Sequence, residues 1–334
     1  MSLSIIIVNY RSSNYIINCL KSAFEFDSAK NFEWIVVDNA SGDHSRQQIT
    51  NLFPSVKWID MGSNAGFARG NNEGIRQSSG NIVLLLNPDT LIKDDSINHC
   101  YQRLLNSNNI AAATQLLNAD ETPQITGNYF IKGNLNRLLT LPYLGAIAKW
   151  LALLAGIKKT NLPQAGKEEK VDWINGAYLM VKKQAIQKAG LLDEDFFLYY
   201  EEVEWCSRLM KHGSLVVYGD LHTIHLQGES ISAATNSYDK GYYNLFDKKG
   251  LQLLVSGMVQ IRKQWGVGWF IFHLLVLIFE IPFFLLCSTI NSLISLKSPF
   301  YEWKKWLGFT KNVFVLLKLT PAIYSGKPHF YKMF

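Results

Sequence analysis

At 334 residues the chain can hold one large domain or two ordinary ones, and a hydrophobic share of 48% with 13% aromatic residues is rich for a purely soluble protein. The formal net charge of +6 sits in the tail, where from Lys297 onward seven lysines stand against one glutamate; a neutral body argues against a general nucleic-acid-binding surface. Cys19, Cys100, Cys206 and Cys287 lack paired spacing, and the opening MSLSIIIVNYRSS has no basic segment before its apolar run, which predicts an unprocessed cytosolic amino terminus with reduced thiols and no structural zinc.

Ser4 to Asn9 reads as an aliphatic strand, Asn14 to Phe26 as a helix, and Trp34 to Val37 as a second strand ending at Asp38. Asp43 or Ser45 can cap the next helix, Val56 to Asp60 is a third strand, and a glycine-rich turn opens a helix over Gly66 to Gln77. The run from Ile82 to Leu86 shows no polar alternation, as expected of a central strand covered on both faces, and Pro88 stops it because proline cannot donate to the ladder. Strand, helix, strand repeated over the first 117 residues predicts right-handed crossovers and a mostly parallel α/β sheet flanked by helices.

Asn9, Asp38, Asn39, Asn87 and Asp89 fall where these strands end, the edge at which open α/β sheets bind ligands. Asp38 there can accept hydrogen bonds from a pyrimidine ring N–H or from ribose hydroxyls, with Asn39 shaping the rim. Asp89 suits a divalent metal carrying a diphosphate; it equally suits a cap for the helix beginning near Asp94, or a turn. In GSNAGFARGNNEGI, Asn64, Gly66 and the other glycines at a helix start allow close backbone approach to a nucleotide diphosphate, with Arg69 as a charge partner. The glycine spacing is not the dinucleotide fingerprint G-x-G-x-x-G.

Residues 119 to 170 carry a turn-rich part, ADETPQITGN, then an apolar stretch from Leu135 to Lys159 that is either an ordinary packed helix or an amphipathic segment near lipid headgroups, then a polar loop from Thr160 to Lys170. Gly176, between Asn175 and Ala177, precedes an apolar strand and lets a sugar or phosphate approach the backbone. A helix running to about His212 places Glu201 and Glu202 in its first turn, where the macrodipole favours their ionised form; Glu204 and Arg208 can pair four residues apart. A solvated acidic helix start is the alternative. His225 follows a short strand from Leu215 to Tyr218.

SIIIVNYRS, WIVVDNASGD, NAGFARGNN and LLLNPDT, in that order, resemble the inverting nucleotide-sugar glycosyltransferases of family 2, through about residue 230. The wording NAGFARGNN with NPD is most similar to the rhamnosyltransferase-like members that assemble bacterial cell-surface polysaccharides such as O-antigen. The resemblance implies a GT-A fold, with Asp38 as the base-binding aspartate, Asp89 as the metal-binding acid of a DxD motif, and His225 as a metal or diphosphate ligand. The first DxD acid is here Asn87. The family's Glu-Asp catalytic motif is here Glu201-Glu202, so its base aligns with Glu202, one methylene longer, and Glu201 stays a candidate.

The resemblance further implies a divalent cofactor, Mg2+ or Mn2+, and transfer of a sugar such as rhamnose or another deoxyhexose to a lipid-linked or saccharide acceptor. A catalytically silent nucleotide-sugar binder and a processive polysaccharide synthase are the competing readings; the latter is expected to carry a QxxRW motif, which QIRKQW at 260–265 does not match. Residues 1–240 are the expected catalytic domain, with 1–117 its nucleotide-binding half and 171–230 its acceptor and catalytic half; 241–334 are a helical, membrane-associated region.

Within that region, 267–296 are apolar with Glu280 as their only formal charge. Catalytic domain and basic tail should both face the cytosol. The halves on either side of Pro282 are each short of the ~20 residues a span needs. A peripheral or re-entrant placement at the cytoplasmic face of the inner membrane follows, as a shallow hairpin bent at Glu280 to Pro282, with tail lysines on anionic headgroups.

Overall fold

Aliphatic runs that show no polar alternation become the middle of one large sheet. The computed structural model describes residues 2–154, 162–226, 244–298 and 300–333. In chain order it runs β1 (Leu3–Asn9), α1 (Ser13–Phe24), β2 (Glu33–Asp38), α2 (Ser45–Leu52), β3 (Lys57–Asp60), α3 (Gly66–Gln77), β4 (Ile82–Leu86), β5 (Thr90–Ile92), α4 (Ser96–Leu105) and β6 (Ala111–Leu117). Then come β7 (Gly127–Asn128), α5 (Leu144–Leu154), β8 (Glu169–Val171), β9 (Trp173–Ile174), β10 (Tyr178–Lys182), α6 (Lys183–Ala189), α7 (Glu201–Leu209), β11 (Leu215–His225), α8 (Lys248–Trp265), α9 (Val267–Ile294) and α10 (Trp303–Ser325). The described residues fall into two compact units, 1–129 with 160–197 and 201–238, and 130–159 with 198–200 and 239–334. The sequence boundary at 240 and the loop start at Thr160 lie outside the described residues.

In the first unit the strand order is β3-β2-β1-β4-β10-β6-β11-β5, with β8 also on β11. β3, β2, β1 and β4 pair in parallel, as do β6 and β11, while β10 runs antiparallel between β4 and β6. All five residues of β4 are buried, as its unbroken apolar run requires. The antiparallel insertion of β10 has one consequence for chemistry. The carboxyl ends of β1, β2, β4 and β11 and the amino end of β10 share one edge, which brings Asn9, Asp38, Asn87, Gly176 and His225 to the same side of the sheet.

Helix α3 is seated by its glycines. A Cβ on Gly74 would lie 2.5 Å from the Ile6 side chain and one on Gly70 would lie 3.1 Å from Val8, so these glycines serve close helix-to-strand packing, not approach to a phosphate. Two other expectations change. β11 does not stop at Tyr218: a register shift between Tyr218 and His222 carries it on to His225. The polar stretch before Lys170 is not all loop, because Ala165 is buried, its N–H reaches Gln115 Oε1 at 2.9 Å, and β8 begins at Glu169.

The second unit is helical. The apolar stretch after Leu135 is neither one packed helix nor one amphipathic one: a 3-10 segment, Lys132–Thr140, and α5 meet at a bend of 116°. Helix α5 buries only Gly145 and leaves Trp150, Leu151, Leu153 and Leu154 exposed. Asp247 caps α8, its Oδ1 accepting from Gly250 N at 2.8 Å.

Helix α9 overturns the expected hairpin. It is one continuous 28-residue helix with Pro282 inside it, long and apolar enough to cross a membrane. An interior proline costs about 3 kcal/mol, yet packing on either side holds the helix together. The Glu280 carboxylate lies on the packed face and accepts the N–H groups of Tyr143 and Leu144 at 2.8 and 3.1 Å, satisfying donors at the start of α5. The Phe284 ring meets Tyr143, Phe246 and Phe309 at centroid distances of 5.2, 5.9 and 6.1 Å. His273 is buried and its Nε2 lies 2.7 Å from the Gly133 carbonyl. Glu280 therefore marks a packed face, and Pro282 lies exposed on a helix that continues through it, not at a turn.

Candidate active site

The first cradle is built on the ends of β1 and β2. Asn9 and Asp38 are register partners, and Asn9 Nδ2 donates to Asp38 Oδ1 at 2.7 Å. The Ser41 hydroxyl donates to Asp38 Oδ1 at 2.5 Å and its N–H to Oδ2 at 3.0 Å, so a buried carboxylate is held in one orientation and keeps acceptor capacity. Asn39 Nδ2 is pinned to the Gly66 carbonyl at 2.9 Å; its buried Oδ1 has no hydrogen-bond partner among the described residues. A buried acceptor of that kind is costly unless something donates to it.

Gly66 sits at φ +84°, and a Cβ there would fall 2.3 Å from the Phe197 carbonyl, so only glycine lets the loop before α7 close on the start of α3. Asn64 Oδ1 accepts from Gly66 N at 3.2 Å. Arg69 spends its Nε on the Glu194 carbonyl at 3.1 Å, and Asn72, which the sequence did not single out, exchanges hydrogen bonds with Leu192. Both residues thus tie the loop 190–197 to α3.

The second cluster lies at the ends of β4 and β11. Asn87 is fixed by its N–H on the Ala177 carbonyl at 2.9 Å, and Leu226 N–H bonds the Asp89 carbonyl at 2.9 Å. Their side chains converge on His225: Nε2 is 3.5 Å from Asp89 Oδ1 and 3.4 Å from Asn87 Nδ2. Asp89 and His225 are both buried. A carboxylate oxygen and an imidazole nitrogen facing each other are donors for Mg2+ or Mn2+, so the residues present fit such an ion. Among the described residues no three His, Cys, Asp or Glu side chains form a closed metal cluster. The remaining coordination would come from water and diphosphate, as Mg2+ sites commonly have it. Gln124, in the part read as turn-rich, also enters here, with Oε1 3.1 Å from His225 Nδ1.

The third group is the acidic start of α7. Tyr199 and Tyr200 precede it, each at φ +70°, a left-handed conformation that costs bulky residues energy and clusters at functional sites. Glu202 faces Gly176: the position of a Cβ on that glycine would lie 3.5 Å from Glu202 Cβ and Cγ. Glu201 points inward, is 3% exposed, and its Oε2 finds no hydrogen-bond partner among the described residues. Burial, and then the adjacent Glu202, push the Glu201 carboxyl well above the usual carboxylate range. Glu204 and Arg208 form the expected pair, bidentate at 2.8 and 2.7 Å.

A raised folded-state pKa adds stability below the unfolded value of about 4.3 and loses it as pH rises toward the folded value. Glu201→Gln keeps the shape of the protonated acid and has no proton to lose. Its Tm relative to wild type is therefore expected to climb as pH is raised from about 5 to about 8. A difference that stays flat across that range in a thermal-melt series contradicts a raised Glu201 pKa.

Residues 4–153 match the model of Glycosyl transferase family 2. The chain is 30% identical over 281 residues to the low-salt glycan biosynthesis hexosyltransferase Agl10 of Haloferax volcanii, covering 78% of this chain and 84% of that protein. It is 26% identical over 231 residues to the rhamnosyltransferase WbbL of Escherichia coli, covering 66% and 82%. Among solved structures, the mannosyltransferase PcManGT from Pyrobaculum calidifontis, in complex with GDP-Man and Mn2+, matches with a TM-score of 0.51 at 14% identity over 94% of this chain and 86% of that one.

Proposed function

This chain belongs to glycosyl transferase family 2, with the GT-A fold, and from that premise we propose that it moves one sugar from a nucleotide sugar to a lipid-linked saccharide with inversion at the anomeric carbon. It is a glycosyltransferase, which removes the silent-binder reading. The observation that carries the finer reading is convergence on one sheet edge. A cradled Asp38, the Asp89 and His225 pair, and a glutamate against Gly176 supply base recognition, diphosphate neutralisation and a proton acceptor.

In this reading residues 1–240 are catalytic, 1–117 serving the donor and 171–230 the acceptor. Asp38 holds the nucleoside, with Asn9, Asn39, Asn64, Gly66 and Arg69 around it. Asp89 and His225, with Asn87 beside them, would hold Mg2+ or Mn2+. When bound, the ion stabilises the charge on the departing nucleoside diphosphate as a Lewis acid. Glu202 accepts the proton of the attacking hydroxyl on the opposite face of the sugar. The donor is a dTDP-linked deoxyhexose such as dTDP-rhamnose, a choice supported by the NAGFARGNN and NPD wording and by the likeness to a rhamnosyltransferase. Incubation with a panel of nucleotide sugars and a lipid-linked acceptor, read by mass spectrometry, tests this. Transfer from a UDP-hexose alone rejects the donor, and no transfer from any nucleotide sugar rejects the reading.

Residues 241–334 with α5 hold the enzyme at the cytoplasmic face of the membrane, in its plane. Only 33% of the most apolar window of α9 is buried, and Leu275, Phe279 and Leu286 lie on its exposed side. Lys304, Lys305, Lys311 and Lys318 are spread exposed along α10, and Trp306 of that helix bonds the Ile281 carbonyl of α9 at 2.9 Å. A spanning α9 would draw those lysines into hydrocarbon, whereas an interfacial helix pair leaves them on anionic headgroups. Replacing Leu275, Phe279 and Leu286 together by Gln is expected to cut co-flotation with phosphatidylglycerol vesicles by about tenfold or more. Flotation equal to wild type rules this face out.

A further inference from the structure

Gln124 sits at the return of a tight turn after β6, its N–H on the Leu116 carbonyl at 2.8 Å, and its side chain is buried beside the end of β11. Its two ends have different company. Nε2 lies 2.6 Å from the His225 carbonyl, 2.8 Å from Asn118 Oδ1 and 3.3 Å from the Leu117 carbonyl. Carbonyl oxygens only accept, and two of these three are backbone, so the NH2 end of the amide must face them. Asn118 Oδ1 is fixed in turn, because Asn118 Nδ2 donates to the Thr122 hydroxyl at 2.8 Å. The Gln124 oxygen is thereby left for His225 Nδ1 at 3.1 Å, and an oxygen there demands an N–H on Nδ1.

We propose that Gln124 is a positioning residue that locks His225 in its Nδ1–H tautomer, so that Nε2 presents a lone pair beside Asp89 to the cation bound with the donor diphosphate. Backbone acceptors orient the amide, the amide oxygen holds a proton on Nδ1, and in the neutral ring this leaves the lone pair on Nε2, 3.5 Å from a carboxylate oxygen. The Asn87 amide nitrogen, 3.4 Å from the same Nε2, can donate to that lone pair, and a cation would take its place there as the charge shared with Asp89. Hydrogen bonds of this kind to the remote nitrogen of a ligating histidine set its ring orientation and basicity, and their loss typically costs about 10–100-fold in metal affinity. The cation's role rests on the function proposed above; the tautomer does not.

The test separates the two. In 15N-histidine-labelled protein without metal, with His225 assigned by its disappearance in His225→Gln, long-range 1H–15N spectra are expected to show Nδ1 protonated and Nε2 unprotonated. In Gln124→Met, of similar length and without the oxygen, the Nε2–H form should appear and the Kd for Mn2+, read by electron paramagnetic resonance, should rise about 10–100-fold. An Nε2–H tautomer or a doubly protonated ring in the wild type overturns the proposal, as does an unchanged Mn2+ affinity in Gln124→Met. If the tautomer is as stated but His225→Gln leaves Mn2+ affinity untouched, the metal reading of His225 fails and with it the purpose assigned to Gln124.

Discussion

Glu202→Gln is expected to lower kcat by about 10²–10⁴-fold, the range that a positioned general base contributes, with donor Kd unchanged. The change removes the proton acceptor, while glutamine has the same length and keeps the contact of Cβ and Cγ with Gly176. Glu201→Gln should behave oppositely, leaving kcat near wild type, because that carboxyl is buried and pushed well above the usual carboxylate range, toward the neutral acid with which glutamine is nearly isosteric. The two carboxyls are adjacent in the chain and Glu202 acts on Glu201, so the contrast between the two variants carries more weight than either alone. Kinetics at saturating donor, with donor affinity measured separately by calorimetry, decides it. Full kcat in Glu202→Gln with a collapse in Glu201→Gln exchanges the roles.

That division of labour was only half legible in the sequence. Two glutamates at a helix start can be recognised in the string, and Glu202 aligns with a family base, but which of them turns inward depends on how α7 packs, and no periodicity in nine residues reveals it. The sheet was easier. β1, β2 and β4 are uninterrupted aliphatic runs ended by Asn9, Asp38 and Asn87, and α3 starts and stops at Gly66 and Gln77 as read, since local chemistry fixes both ends. Gly70 and Gly74 show the converse. A glycine records that something comes close, and the string cannot distinguish a phosphate from the side chains of Val8 and Ile6.

Long-range contacts explain the remaining misses. Pro282 after Glu280 has the look of a bend, yet the carboxylate finds two N–H groups more than 130 positions earlier in the chain and α9 runs through. Gln124 looked like turn filler in ADETPQITGN, and its function becomes visible only when β11 brings His225 alongside, 101 positions later. The register shift in β11 falls at Gly219 and Asp220, residue types that serve a strand end as readily as an irregularity within a strand, which is why the string reads as stopping at Tyr218.

Asp89→Ala should be the most damaging change outside the base, with kcat falling by about 10²–10³-fold or more, the cost of removing one preorganised electrostatic partner. The fold should survive: Asp89 follows β4 outside its ladder, and the backbone bond from Leu226 to its carbonyl does not involve the side chain. What is lost is the charged member of the pair facing His225 Nε2. Asp89→Asn is the sharper control, since it keeps volume while removing the charge and exchanging one acceptor oxygen for an NH2 donor. Both variants should bind free nucleoside much as wild type does, because Asp38 and its cradle are untouched, while the increment that Mn2+ adds to nucleoside diphosphate binding should vanish. Calorimetry with dTDP and UDP, with and without Mn2+, reads that increment directly. If Mn2+ strengthens binding equally in wild type and Asp89→Asn, Asp89 is not the anchor for the cation and the site at the end of β4 must be read as a structural turn.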